Sequence, residues 1–177
     1  MRDRESRVCT MKATGDRATI LARYADGPSQ LENALKGLSE SDLDLAPSKT
    51  GWSIREIVHH IADGDDIWES CIKMALGNEQ AEFHLEWYRT VPQTDWASSW
   101  AYAHRPVSTS LDLLRATRAH VLALVAQRPD SWERSVELRE PNGQIARVSV
   151  GFVVEMQASH VFHHINRILA IRQEHGV

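Results

Sequence analysis

Three histidines lie within five positions of a largely apolar segment, "SHVFHHINRI", near the end of the sequence. His160 and His164 are four residues apart, so on a helix they share one face, with Cβ atoms about 5–6 Å apart. Two imidazoles placed in this way can bind one divalent metal ion at about 2.0–2.1 Å per bond. His163 points about 100° away from His164 and is expected at the rim or the surface. The spacing alone does not separate a metal site from a structural pair, so further ligands must come from elsewhere.

The same segment argues against one class of metalloenzyme. A metalloprotease helix carries Glu directly after the first histidine of HExxH, where the carboxylate acts as general base. Here Val161 and Phe162 occupy the two positions after His160. The helix therefore supplies no carboxylate base, and peptidase chemistry is disfavoured.

A candidate third ligand lies in "IVHHIADGDD". His60 is on an inward-facing helical stripe with Gly64 and Ile67, whereas His59 is expected to point elsewhere and to be less buried. A glycine in mid-helix costs about 1 kcal/mol relative to alanine, which suggests that Gly64 keeps a space open beside His60. The alternative for His60 is a core histidine that is hydrogen-bonded to a backbone carbonyl or to Asp63.

Four segments with helical periodicity position these residues. The first spans about residues 17–38, with a kink or restart expected at Gly27-Pro28. The second begins after the N-cap Ser53, whose capping-box partner is Glu56, and stops at Gly77. The third follows Pro106, with Ser108 or Thr109 as its cap, and ends at Arg128-Pro129; the fourth covers about residues 150–172.

The two remaining segments are connections. Residues 78–105 read as a long structured connection with short helical turns, and Trp96, Trp100 and Tyr102 are candidates to cover a site there. Asn142-Gly143, between apolar residues, predicts a two-residue β-hairpin turn. We therefore predict an all-α fold: a four-helix bundle with a long crossover connection and a small β-hairpin before the last helix. Residues 1–14 form a mobile arm, and residues 15–177 form one domain.

Composition argues against several other classes of protein. The 177 residues carry 20 Lys and Arg against 24 Asp and Glu, a net charge of -4, which argues against a nucleic-acid partner. No apolar run reaches the roughly 20 residues of a membrane span, and the start "MRDRESRVCTMK" lacks the apolar centre of a signal peptide. We expect a cytoplasmic protein. Two cysteines do not form a disulfide framework, and Cys71 is expected to be a small buried hydrophobe.

These motifs resemble a known family. "GWSIREIVHHIADGDD" is similar to the signature of the DinB/YfiT-like four-helix bundles, in which a ligand histidine follows the Trp by eight residues. "SHVFHHINRI" resembles the C-terminal HxxxH of that family, except that Ile165-Asn166-Arg167 stands where many members have Arg-Gly-Gln. The resemblance covers about residues 17–172. It implies a metal site made of His60, His160 and His164.

The resemblance also implies a function. Members of the group are classed as metal-dependent hydrolases or as thiol S-transferases that use bacillithiol- or mycothiol-type cosubstrates. We expect one divalent transition metal per chain, Zn or Ni foremost and Fe as a further option, since imidazole suits all three. The ion would activate water or a low-molecular-weight thiol against a small-molecule substrate. The alternative is a non-catalytic homodimer with a vestigial metal site, involved in stress response or ligand binding; a homodimer is expected in either case.

Three other side chains are candidates near the site. Asp63, three residues after His60, is the candidate catalytic group, expected to orient a ligand imidazole or a metal-bound water; a solvated helix carboxylate is the alternative. Arg167 is placed either to meet an anionic substrate or on the surface. His120 belongs either at the rim of the site or in the core.

Overall fold

The computed structural model describes residues 10–78 and 80–177. Six α-helices lie in this part of the chain: α1 (Arg17–Leu35), α2 (Ile54–Gly77), α3 (Glu86–Arg89), α4 (Gln93–Ser99), α5 (Val107–Ala126) and α6 (Val150–His175). Four strands accompany them: β1 (Thr10–Met11), β2 (Glu82–His84), β3 (Ser135–Arg139) and β4 (Ile145–Ser149). Short 3-10 turns cover Asp42–Asp44 and Tyr102–His104.

The four long helices form the predicted bundle. α1 packs against α6 and α5, and α2 packs against α5 and α6, so each long helix has two long neighbours. The crossover between α2 and α5 contains β2, α3, α4 and the second 3-10 turn. The predicted fold class is therefore confirmed, including the strands before the last helix.

Local signals explain where the helices start. Ser53 caps α2 in a complete capping box with Glu56, as predicted, because each side chain bonds the backbone N–H of the other. Ser149 caps α6 by accepting from the N–H of Phe152. α5 starts directly after Pro106, as predicted, but its predicted cap was wrong: Pro106 occupies the cap position, and neither Ser108 nor Thr109 caps the helix.

The restart that was one expectation at Gly27-Pro28 does not occur, since α1 continues through both residues. A proline inside a helix leaves the carbonyl four residues earlier without its N–H partner. Here that carbonyl belongs to Tyr24, and the buried guanidinium of Arg118 donates to it at 2.8 Å from α5. A tertiary contact therefore replaces the missing helical bond, which explains why no restart is needed.

The strands form one sheet in the order β1-β4-β3-β2. β3 and β4 are the predicted antiparallel pair, in register from Ser135 opposite Ser149 to Arg139 opposite Ile145. The turn is longer than the expected two residues: Glu140 N–H donates to Gln144 O at 2.9 Å, and Gly143 takes a left-handed φ of 80°. β1 and β2 add parallel strands at the edges, which no sequence pattern predicted.

Two apolar clusters fill the bundle, one beside the sheet and one at the opposite end. A buried polar group lies between them. Arg118 bonds the Asp65 carboxylate through Nε at 2.6 Å and Nη2 at 3.2 Å, and both side chains are essentially inaccessible to solvent. Arg118 also donates to Gln157 O at 3.0 Å and lies over the Tyr24 ring at 4.4 Å. This group connects α1, α2, α5 and α6 at mid-height.

The N-terminal part of the chain is only partly within the described residues. Residues 1–9 of the predicted mobile arm, and Cys9 with them, lie outside those residues. Thr10 and Met11 pair with Arg147 and Val148 of β4, and the backbone N–H groups of Thr14 and Gly15 donate to Glu155 at 2.8 and 3.0 Å. In the described ranges, no helix combines the length and apolar character needed to cross a membrane.

Candidate metal centre

Three imidazoles from two helices meet at one point. His60 on α2 and His160 on α6 have their Nε2 atoms 3.1 Å apart, and the Nε2 atoms of His164 and His160 are 3.0 Å apart. One nitrogen from each ring lies within 4.8 Å of the other two. The structure therefore brings together the three residues that the sequence singled out.

The spacing of the nitrogens fits a shared ion. Bonds of about 2.1 Å would separate two ligand atoms by about 3.0 Å at a right angle and by about 3.4 Å at the tetrahedral angle. The observed contacts of 3.0 and 3.1 Å match the first value. At these distances the Nε2 atoms either hydrogen-bond to one another or, when the ring protons lie on Nδ1, present their lone pairs to one shared cation.

The protonation of the three rings also suits metal binding. Burial is the main cause that lowers the pKa of each ring, to about 3 for His60, about 4 for His160 and about 2 for His164. Mutual repulsion adds to burial at His60 and His164, and the Arg167 guanidinium lowers both of these pKa values further. All three rings are therefore neutral at pH 7, which is the form that binds a metal.

Packing holds the rings in place. The Trp52 ring lies 4.6 Å from the His60 ring, so the Trp and His eight residues apart are in direct contact. The rings of His160 and His164 are 4.5 Å apart on successive turns of α6. Their Nδ1 atoms are buried and have no hydrogen-bond partner within residues 10–78 and 80–177. These two rings lack the outer hydrogen bond that commonly orients a ligand histidine, so packing orients them instead.

A cavity of about 280 Å³ opens beside two of the histidines. Its lining combines apolar, aromatic and amide side chains: His60, Gly64, Ile67, Trp68, Leu85, Tyr88, Arg89, Gln93, Met156, Gln157 and His160. A Cβ at Gly64 would meet only His160 Cε1, at 3.8 Å. The expectation that Gly64 borders open space beside the histidines agrees with this geometry.

Asp63 lies three residues after His60, but its carboxylate is bonded elsewhere. Arg105 donates to it through Nη1 at 2.8 Å and Nη2 at 3.3 Å. Asp63 also does not line the histidine cavity. A catalytic role for Asp63 stays a prediction, and the bonds seen here assign it to an ion pair with Arg105.

His59 points away from the histidine cluster, as expected, but the prediction that it is less buried was wrong. Its side chain is fully buried, with Nε2 donating to the Arg105 carbonyl at 3.1 Å and Nδ1 accepting from the Ser110 hydroxyl at 2.7 Å. The carbonyl can only accept, which places the ring proton on Nε2. His59 is thus a structural histidine that ties α2 to the start of α5. Sequence periodicity missed it because α2 is buried on more than one side.

The other candidates are at the periphery of the site. His163 is exposed, as expected. His120 is half-exposed and contacts the Glu69 carboxylate at 2.7 Å, so it belongs neither to the core nor to the metal cluster. Arg167 is partly buried and has no ion-pair partner in the part of the chain that the structure describes. Trp96, Trp100 and Tyr102 form part of an aromatic wall in the crossover, where Tyr102 contacts Trp52 at 6.5 Å.

The fold and the site together define a four-helix bundle with three inward-facing histidines. The profile of the DinB superfamily matches residues 23–168, and the chain belongs to that superfamily. The sequence resemblance is thereby confirmed over most of the chain.

Two relatives with similar sequences have the same descriptive name. A protein of Oceanobacillus iheyensis named "Putative metal-dependent hydrolase" is 25% identical over 147 residues, covering 82% of this chain and 80% of the relative. A protein of Geobacillus kaustophilus with the same description is 23% identical over 150 residues, covering 84% and 80%.

A solved structure shares the fold. YfiT from Bacillus subtilis, described as a probable metal-dependent hydrolase with an unusual four-helix bundle topology, superposes with a TM-score of 0.77 at 21% identity. The match covers 99% of this chain and 94% of YfiT. It establishes the common bundle architecture.

Proposed function

We propose that this chain is a metal-dependent enzyme in which His60, His160 and His164 bind one divalent transition metal and present it to a small-molecule substrate. The observation that carries this proposal is the convergence of three neutral imidazole nitrogens at contacts of 3.0 and 3.1 Å. The names of the relatives support the metal-dependent class. Zn and Ni are the foremost candidates and Fe a further one, because imidazole binds each of them well.

Such an ion, when bound by three histidines with coordination positions left open, lowers the pKa of a water or thiol nucleophile. The residues of the chain supply the surroundings. Gly64 leaves room beside His160, and Leu85, Trp68 and Met156 form the apolar part of the cavity wall. Tyr88 is a neutral hydroxyl, since burial raises its pKa, and it donates to Gln93 Oε1 at 2.7 Å at the cavity wall.

The lining of the cavity favours a thiol as the nucleophile. It contains no Asp or Glu among the described residues, so no carboxylate is placed to take a proton from water. The pKa of water is 15.7, whereas that of a free thiol is about 8.5. A thiol therefore needs far less assistance to ionise in this cavity. We propose thiol S-transfer as the preferred activity, with hydrolysis as the second candidate that the relatives' names support.

Metal analysis tests the site. Protein purified without a histidine tag should contain about one transition metal per chain by elemental analysis. Substitution of His60, His160 or His164 by alanine should remove it. His163→Ala is the matched control, because this exposed neighbour lies on the same helix and should leave the metal content unchanged. A metal-free protein that also fails to bind added Zn²⁺ or Ni²⁺ would refute the proposal.

Turnover tests the reaction. An electrophilic aryl chloride is mixed with cysteine, glutathione or another small thiol; sulfur bonds to the ring carbon, chloride leaves, and the thiol proton goes to buffer. We expect a metal-dependent rate that is lost in His160→Ala and kept in His163→Ala. Ester substrates test hydrolysis in parallel. Metal binding without turnover on any thiol or ester would favour the alternative of a non-catalytic binding bundle.

Two other expectations stay predictions. A homodimer would show twice the chain mass of 20.0 kDa by light scattering. If the protein is cytoplasmic, it should stay inside cells when exported proteins are released by osmotic shock, and it should appear in the soluble fraction after the cells are lysed.

A further inference from the structure

A second cavity of about 450 Å³ lies between α2 and the crossover segment, outside the histidine cluster. Acidic, aromatic and small side chains line it: Asp63, Asp66, Ile67, Ser70, Phe83, Trp87, Trp100 and Arg105. We call it the aromatic pocket. Ile67 lines both cavities, so an occupant of the aromatic pocket would be separated from the histidine cavity by one side chain.

Two indole rings form the apolar part of the pocket. Trp87 is 49% exposed, which is unusual for the largest of the apolar side chains. Trp96 packs against both rings, with centroids 5.5 Å from Trp87 and 4.9 Å from Trp100. Trp96 is itself fixed, because its indole N–H donates to the Tyr88 carbonyl at 2.9 Å. The two pocket indoles therefore share a rigid support.

The charge of the pocket is negative. Asp63 and Arg105 neutralise each other through two hydrogen bonds of 2.8 and 3.3 Å. Asp66 has no ion pair or hydrogen bond among the described residues; its pKa is raised first by desolvation and then by Glu69 and Asp63, while the nearby Lys73 ammonium lowers it. Arg105 Nη2 also donates to the Ser110 hydroxyl at 3.4 Å. Two carboxylates and one guanidinium line the pocket, so its lining carries a net negative charge that disfavours an anion, and Asp66 is the carboxylate without an ion pair.

We infer that the aromatic pocket binds an organic cation, a primary or quaternary ammonium group. Trp87 and Trp100 supply indole surfaces, which are the best partners for a cation among side chains. Asp66 supplies the opposite charge. An inorganic ion would favour several oxygen ligands, whereas Asp66 is the one lining carboxylate of this pocket without an ion-pair partner among the described residues, and aromatic rings form much of the remaining wall. This inference does not depend on the metal site; if both are right, the pocket holds the cationic part of a substrate beside the reacting centre.

Calorimetry on the full-length protein tests the inference with choline and with its uncharged isostere, 3,3-dimethylbutan-1-ol. We expect choline to bind with a dissociation constant on the order of millimolar and the isostere to bind at least about tenfold more weakly. Asp66→Asn and Trp87→Leu should each weaken choline binding by about fivefold. The matched control Asp112→Asn removes the same charge at an exposed position of α5, and it should leave choline binding unchanged.

Thermal unfolding by circular dichroism checks that each variant folds. His160→Ala and prior chelation of metal should leave choline binding unchanged, so loss of the metal site and loss of this pocket give different results. Equal affinity for choline and its isostere, or no binding of either at 100 mM, would overturn the inference. So would choline affinity that is unchanged in both Asp66→Asn and Trp87→Leu.

Discussion

Gly27→Ala tests how the buried arginine organises the bundle. In most helices this substitution stabilises the protein by about 0.5–1 kcal/mol, because glycine loses more backbone entropy on folding. At Gly27 an added Cβ would lie 2.2 Å from Arg118 Nη1 and 3.0 Å from Val161 Cγ1. The guanidinium would have to move by about 1 Å to restore ordinary contact distances.

Movement of the Arg118 guanidinium is expected to lower the stability of the protein. Arg118 is 1% exposed and bonds Asp65, the Tyr24 carbonyl and the Gln157 carbonyl, so a shift of its guanidinium would lengthen or break these hydrogen bonds. A buried carboxylate that loses its partner destabilises a protein by about 3–5 kcal/mol. After subtracting the helix gain, we expect Gly27→Ala to lower the free energy of unfolding by about 2–4 kcal/mol.

Urea unfolding followed by circular dichroism, with metal chelated throughout, measures this change. Gly64→Ala is the matched control, since Gly64 is also buried in a long helix but its Cβ would have a single contact at 3.8 Å. We expect Gly64→Ala to be as stable as the parent protein or more stable by up to about 1 kcal/mol. A Gly27→Ala protein within about 1 kcal/mol of the parent would refute this account of Arg118.

Three further predictions follow from the same structure. In metal-free protein, burial holds the folded-state pKa values of His60, His160 and His164 at about 3, 4 and 2, below the ordinary 6.5. As the pH falls from about 6.5 towards 4, the unfolded chain therefore takes up protons at these positions and the folded chain does not. The free energy of unfolding is expected to be highest above pH 6.5 and to decrease in this window. A urea midpoint that is flat between pH 7.5 and pH 5 would contradict this. Ser53→Ala removes the α2 cap and should cost about 1 kcal/mol of stability, whereas Ser70→Ala at an exposed position of α2 should not, as urea unfolding will show. Burial raises the pKa of Cys71 to about 12, so a chain with Cys9→Ser should react with a thiol reagent only after unfolding; rapid reaction of native protein would disprove the burial of this thiol.

The sequence was informative wherever neighbouring residues decide the structure. Ser53 and Glu56 are three residues apart, and their capping box involves only the first turn of α2. His160 and His164 are one turn apart, so helical geometry alone places their rings together. Cys71 lies on an apolar stripe and is fully buried, as its position indicated.

Contacts between distant residues were beyond the reach of such patterns. β1 and β2 are parallel edge strands of two and three residues, too short to show a periodicity. His59 can be buried because both of its ring nitrogens are hydrogen-bonded, one to the Ser110 hydroxyl and the other to the Arg105 carbonyl, about fifty positions along the chain. The aromatic pocket likewise depends on how the crossover folds back over α2.

The sequence by itself determined the four amphipathic helices, the hairpin and the pairing of His160 with His164, because each depends on interactions within a few residues. Only the tertiary structure decided that His60 joins that pair from 100 positions away. It also decided that α1 continues through Pro28, where Arg118 bonds the carbonyl that proline leaves free. A helix period specifies which face of a helix is apolar, but the residue that meets that face is chosen by the packing of the whole bundle.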